Sequence, residues 1–289
     1  MQKMEQNYYH ISSSALEQGL IFRDQQEFIT GMNDLAICIS RYNIDLLCFC
    51  LMNNHFHFIA YGRLSECQKF GNEYKRICAI RMRQSGNAIK GMKNVTLQYD
   101  HIDSQEYLEN AIAYVLRNPL SAKIRLMPYH YPWSSISSYF NAGTRNTGRR
   151  LADMSERKRF QILKSRINIP DNFFIDENSM IVPSCYVRND LVENIFRFPG
   201  RLLAALARKI ESDIEIKMGI GEHFCVTDTE LLEQLPELLK PEFGRTSISQ
   251  LTIEEKVRLC TLLNRNFCAG AKQISRITRI SIEVVEKVI

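Results

Sequence analysis

The stretch from Ile44 to Tyr61 constrains the chain most. It is dense in apolar and aromatic residues and is broken in its middle by Asn53 and Asn54. A strand usually runs three to ten residues, so this stretch is too long for one. It reads as two strands with a turn or bulge at the asparagines, or as one long bent strand. A core sheet therefore passes through this part of the chain, and its neighbours must supply the partners.

The flanking segments do so in alternation. Asn7 to Ser13 (NYYHISS) reads as a strand, and Gln25 to Tyr42 as a helix with Phe28, Met32, Leu35, Ile39 and Tyr42 at threes and fours. Leu64 to Arg83 is helical and basic, and Gly86 and Gly91 break the pattern. Val95 to Tyr99 is a further strand. Asp103-Ser104-Gln105-Glu106 starts a helix that runs through Tyr107, Ala111, Tyr114 and Val115 and should stop just before Pro119. The order strand, helix, strands, helix, strand, helix suits an α+β fold with helices on one face of a mostly antiparallel sheet.

At about 150 residues per domain, 289 residues leave room for a second unit. Asn141 to Arg150, rich in Gly, Asn, Thr and Arg, reads as a linker, and the expected division is 1–145 and 146–289. The second part reads as mostly helical over Leu202–Ile210, Glu230–Leu239 and Ile253–Asn264. Its end, 253–289, resembles a three-helix unit with a helix-turn-helix. In it Ala271, Ile274, Ile277, Val284, Val285 and Val288 point inward, Ile280 packs in the turn, and Arg279 stands where a turn glycine is common.

Composition excludes several classes. The longest apolar run, Leu46 to Met52, is far short of the ~18 residues needed to span a bilayer. Residues 1–14 lack the pattern of a signal peptide. The nine cysteines contain no CxxC pair, so most of them read as reduced, buried hydrophobes of a cytoplasmic protein. The whole net charge of +5 falls in residues 1–150; the second half is neutral, with an acidic stretch at 211–255 and a basic end at 256–289. That distribution suits an anionic partner.

The chemistry concentrates at His55-Phe56-His57. In a strand, residues two apart share a face, so both imidazoles can chelate one divalent cation while Phe56 packs on the other side. A half-buried strand with two hydrogen-bonded histidines is the plain reading of the tripeptide alone. Downstream, Tyr114 and Asn118 are four apart and share a helix face. Asn118 offers an amide oxygen suited to Mg²⁺ or Mn²⁺. Tyr114 offers a phenol whose ordinary pKa of about 10 requires activation before it can attack a phosphodiester.

Three blocks carry a family resemblance: LMNNHFHFIA, YVLRNPLSAKI and YPWSSISSYF, in that order over roughly residues 7–140. They resemble the REP-associated tyrosine transposases, members of the HUH single-tyrosine transposases. The resemblance implies a ferredoxin-like HUH endonuclease fold and metal-dependent cleavage and rejoining of single-stranded, hairpin-forming DNA. The covalent link is a 5′-phosphotyrosine, and a 3′-hydroxyl is released. By position, His55 and His57 match the metal-binding pair, Tyr114 the nucleophile and Asn118 the third ligand. A homodimer fits, because in related transposases the nucleophile helix can come from a partner subunit. Two departures stand out. Asn53 replaces the family's usual proline, and Ser13-Ser14-Ala15-Leu16 replaces its Arg-Gly-Asn-like segment.

Arg76, Arg81, Arg83 and Arg117 are the expected phosphate contacts. Tyr8, Tyr9 and His10 could stack on bases or fill the core. Trp133 reads as a packing residue. Two other readings compete: a non-catalytic protein that binds structured DNA and derives from a transposase, and a metallohydrolase with an unrelated HxH site. Ile59 and Ala60 after His57 disfavour the latter.

Overall fold

The structure, a computed structural model, describes residues 5–16, 20–86, 92, 94–121, 128–145, 147–207, 228–267, 269 and 271–289. Gly91, residues 208–210 of the expected 202–210 helix, residues 211–227 of the acidic stretch, Cys225, Cys268 and the end of the YVLRNPLSAKI block lie outside them. The chain divides into two compact units, 1–119 with 127–221, and 120–126 with 222–289. Residues 147–207 thus pack with the sheet, and the linker-like composition at 141–150 marks no break in packing.

In the first unit, β1 (Asn7–Ser13), α1 (Gln25–Ile39), β2 (Ile44–Leu51), β3 (Phe56–Gly62), α2 (Leu64–Gln84), β4 (Leu97–Ile102) and α3 (Gln105–Ser121) follow one another. The four strands form one antiparallel sheet in the order β2-β3-β1-β4. That is the ferredoxin-like arrangement, mixed α and β with the two hairpin strands at one side. The long apolar run is two strands joined by a turn, with Met52 N donating to His55 O at 2.8 Å. The register shifts between Leu46 and Cys48, so the bulge lies inside β2 and the turn at the asparagines. The Asn53 carbonyl accepts from Ile21 N and Phe22 N, and the Asn54 carbonyl from Leu16 N. The asparagine turn therefore holds the chain that leaves β1.

One face of the sheet is a hydrocarbon layer. Paired residues share a face, so Ile11, Phe49 and Phe58 lie together with Tyr9, Leu51 and Phe56. Phe56 and Phe58 meet the Tyr74 ring of α2 edge-on, with Phe70 beside Phe58. Each such ring stabilises the fold by about 1.5–3 kcal/mol through burial. Gly71 permits the close approach of α2, because a Cβ there would sit 2.6 Å from Tyr99 Oη. α1 starts at an Asp24 cap that accepts from Glu27 N. α2 ends before Gly86, whose φ of +73° breaks the helix as expected.

α3 departs from the expectation in two ways. It continues through Pro119 to Ser121, because a proline in a helix's last turns removes one hydrogen bond without forcing an end there. It also brings Tyr114 to the sheet face opposite α1 and α2. The exposed edge of β2 is covered by later chain: Leu51 N donates to Trp133 O, Ser135 N to Phe49 O, and Arg188 N to Leu46 O. Trp133 stacks on Phe28 of α1, with ring centroids 4.8 Å apart. Further on come β5 (Arg149–Arg150), α4 (Glu156–Leu163), β6 (Phe174–Ile175), α5 (Asn189–Phe196) and α6 (Pro199–Ala207). Among the described residues after 145, the short β5–β6 ribbon is the β exception to a helical region.

The second unit holds α7 (Asp228–Phe243), α8 (Ile253–Phe267), α9 (Ala271–Thr278) and α10 (Ile282–Val288). Leu259, Cys260, Leu263, Ile274, Ile277 and Val285 are buried. Val284, expected inward, is 40% exposed; Val285 alone of that pair is turned into the core. Arg279 takes the left-handed conformation, φ +60°, that favours glycine in such a turn. Among the described residues no helix is long and apolar enough to cross a membrane.

Candidate active site

The second sheet face carries polar residues where the first carries rings. Tyr8, His10 and Ser12 of β1 alternate onto it, opposite Tyr61, Ile59 and His57 of β3. Asp100 of β4 lies opposite His10. His55 is the last residue of the turn, one position before β3, and its ring stands at 89° to that of His57, centroids 5.0 Å apart. The HxH pair thus meets as expected, although only His57 lies in the strand.

Tyr114 and Asn118 complete the cluster from α3. The Tyr114 ring meets His57 edge-on at 5.8 Å and His10 at 6.0 Å between centroids. Asn118 Oδ1 lies 3.4 Å from His55 Nε2. His10, His55 and His57 are fully buried, Asn118 is 1% exposed and Tyr114 6%.

The hydrogen bonds set the protons. His55 Nδ1 lies 2.8 Å from Asn54 Oδ1, an atom that only accepts, so Nδ1 donates there and Nε2 is the nitrogen turned toward Asn118. Asn118 Nδ2 donates to the Tyr114 carbonyl at 3.3 Å, which turns Oδ1 toward His55. In the neutral imidazole Nε2 is an acceptor, and it then faces the Asn118 acceptor at 3.4 Å. Neighbouring ligands of one divalent cation are separated by roughly 3.0–3.4 Å when each bond is about 2.1 Å. The donor set of two imidazoles and an amide oxygen fits such an ion. Among the described residues no group of three or more His, Cys, Asp or Glu could hold a metal, so the third ligand would have to be the amide.

His10, read from the sequence as a base-stacking or core residue, joins the cluster instead. Its Nε2 lies 3.0 Å from His57 Nδ1, and the two rings stack at 5.2 Å. If His57 uses Nε2 as a ligand, its Nδ1–H donates to His10, the outer-shell contact that metal-binding histidines usually make. The sequence left His10 open between stacking on bases and filling the core, and which strand it would meet was not in the pattern. Asp100 Oδ2 is buried without a hydrogen-bond partner among the described residues, and burial raises its carboxyl above the usual range.

The expected phosphate contacts fare differently. Arg76 binds Glu73, which also binds Arg41. Arg81 makes a two-point pair with the buried Asp34, at 2.8 and 2.9 Å, and donates to Leu163 O. Arg117 is 8% exposed. Arg83 is exposed near the end of α2. Cys38, Cys48, Cys50, Cys67 and Cys78 are free and buried, and burial raises the thiols of Cys38, Cys48, Cys67 and Cys78, that of Cys67 to about 12.

No family model matches the chain, and no curated protein matches it. Among solved structures the chain is similar to a REP-associated tyrosine transposase bound to a REP hairpin. The identity is 13% and the TM-score 0.34, over 47% of this chain and 81% of that one.

Proposed function

We propose that this protein is a metal-dependent single-stranded DNA endonuclease and strand transferase, acting on hairpin-forming DNA through Tyr114. One observation carries the reading: the Tyr114 ring, both HxH imidazoles and the Asn118 amide oxygen converge in one buried cluster. His55, His57 and Asn118 would hold the cation, Mg²⁺ or Mn²⁺. When bound, such an ion neutralises the scissile phosphate and favours the phenolate over the phenol.

The chain's own residues do the rest. Tyr114 Oη attacks phosphorus, the bond to the 3′-oxygen breaks, and that oxygen leaves as a 3′-hydroxyl after taking up a proton. The new phosphotyrosine bond keeps the energy of the old linkage, so a 3′-hydroxyl can attack it in reverse and rejoin the strand. His10 orients His57, and Asn54 orients His55. The hairpin substrate comes from the family resemblance of the three sequence blocks.

A second reading, a structured-DNA-binding protein that no longer cuts, is favoured by the near-complete burial of the cluster. A denaturing gel separates the two. Protein, labelled hairpin with a single-stranded flank, and Mn²⁺ should give a covalent adduct; hairpin binding with no adduct in any divalent metal supports the second reading.

A further inference from the structure

The expected DNA surface on α2 is largely committed to ion pairs, which raises the question of where phosphates are held. The stretch from 145 to 166 carries eight Lys and Arg and, as acids, only Asp153 and Glu156. Arg145 pairs with Glu193, Arg159 with Asp171, and Arg149 donates to the Asp153 carbonyl. Among the described residues, Arg150, Arg157, Lys158, Lys164 and Arg166 form no ion pair. A groove of about 750 Å³ is lined by Arg157, Arg159 and Arg166, with Glu156 as the acid of its lining and Phe160 and Ile167 on its wall; Lys158 follows Arg157 on α4 at its margin. Phe160 is 44% exposed, and the Arg166 guanidinium lies 5.6 Å from its ring centroid.

We propose that this groove holds the phosphate backbone of single-stranded DNA on its way to or from the site. Unopposed cations with an exposed aromatic ring are what single-strand grooves combine, charge for phosphates and a face for a base. Position agrees. The end of α4 docks on α2 through the Arg81 contact to Leu163 O, and Arg23 ties Ser85, just past α2, to the start of α1. That is the end of the sheet where β1 finishes and β3 begins, the end that carries the HxH turn, with α4 on the α1–α2 side and Tyr114 on the other face, so a strand would pass around that end to reach the site. The inference rests on the DNA reading of the site for its substrate.

The test is fluorescence anisotropy of the full chain with a labelled single strand of about 20 nucleotides, longer than typical groove footprints, across a salt series. The variant Arg157→Gln/Lys158→Gln/Arg166→Gln should bind about tenfold or more weakly. Its log–log salt slope should be shallower by about 2, at ~0.7 for each phosphate no longer neutralised. Phe160→Ala should weaken binding about fivefold or more with the slope unchanged. A control, Arg63→Gln/Lys69→Gln, should stay within about twofold of wild type. The proposal is overturned if wild type does not bind the strand, if it binds duplex more tightly, or if the triple variant matches wild type or the control. Adduct formation is scored separately. No adduct with the predicted binding losses refutes the strand-cutting reading alone; an adduct with unchanged binding in the triple variant refutes the groove alone.

Discussion

The two faces of the one sheet differ in what they bury. The α2 side buries Phe56, Phe58, Ile11 and Phe49 against Phe70 and Tyr74, side chains without charge. The α3 side buries His10, His55, His57 and Asn118, polar groups that are costly to desolvate unless they meet partners or an ion. Period-2 alternation sends neighbouring residues of β3 to opposite faces, Phe56 and Phe58 into the ring layer and His57 into the polar cluster. A fold held mainly by one face can carry an expensive arrangement on the other.

That contrast can be broken by substitution. The largest effect is expected for His57→Ala: adduct formation should fall at least about a hundredfold, with a smaller loss of stability than any ring deletion opposite. Urea unfolding and the adduct gel on the same preparation check both halves. Phe58→Ala should do the reverse, costing about 3–5 kcal/mol of unfolding free energy while folded protein keeps its metal affinity. His10→Phe should weaken Mn²⁺ binding by about 10–100-fold, and His10→Gln, whose amide oxygen can accept from His57, should recover most of it. Equal affinities for the two in a calorimetric titration would leave His10 a packing residue.

The smallest effect belongs to the α2 surface. The Arg76 guanidinium holds the Glu73 carboxyl below its ordinary value. A carboxyl lowered on folding contributes above its unfolded pKa of about 4.3 and loses that contribution as pH falls through the folded value. Wild type should therefore exceed Glu73→Gln by no more than about 1 kcal/mol at pH 7. The two should converge in acid, as read by thermal melts across pH. A gap that widens in acid would reverse the assigned sign.

Much of the sheet unit was legible in the sequence because its signals are local. The periodicity of Gln25–Tyr42 and Leu64–Arg83 reproduces α1 and α2 to within three residues at each end, and the asparagines mark the hairpin turn. What was not legible depends on partners distant in the chain. Arg81 looked like a free cation on a basic helix until Asp34, 47 residues earlier, was placed beside it, whereas the Arg76–Glu73 pair, three residues apart on one helix, was within reach of the sequence. His10 gained a role only from the β1–β3 register, which puts Ser12 opposite His57. The β5–β6 ribbon, two residues per strand, is too short to leave a pattern. Pro119 was read as a stop, though the helix tolerates it in its last turns.

The most direct test of the account is the covalent adduct between the chain and a hairpin with a single-stranded flank, in Mg²⁺ or Mn²⁺, for wild type and Tyr114→Phe. The account predicts a 5′-linked adduct with wild type, absent without the metal and absent in Tyr114→Phe, while both proteins bind the DNA equally. An adduct that persists in Tyr114→Phe would contradict it, because the bond would then be made by another residue.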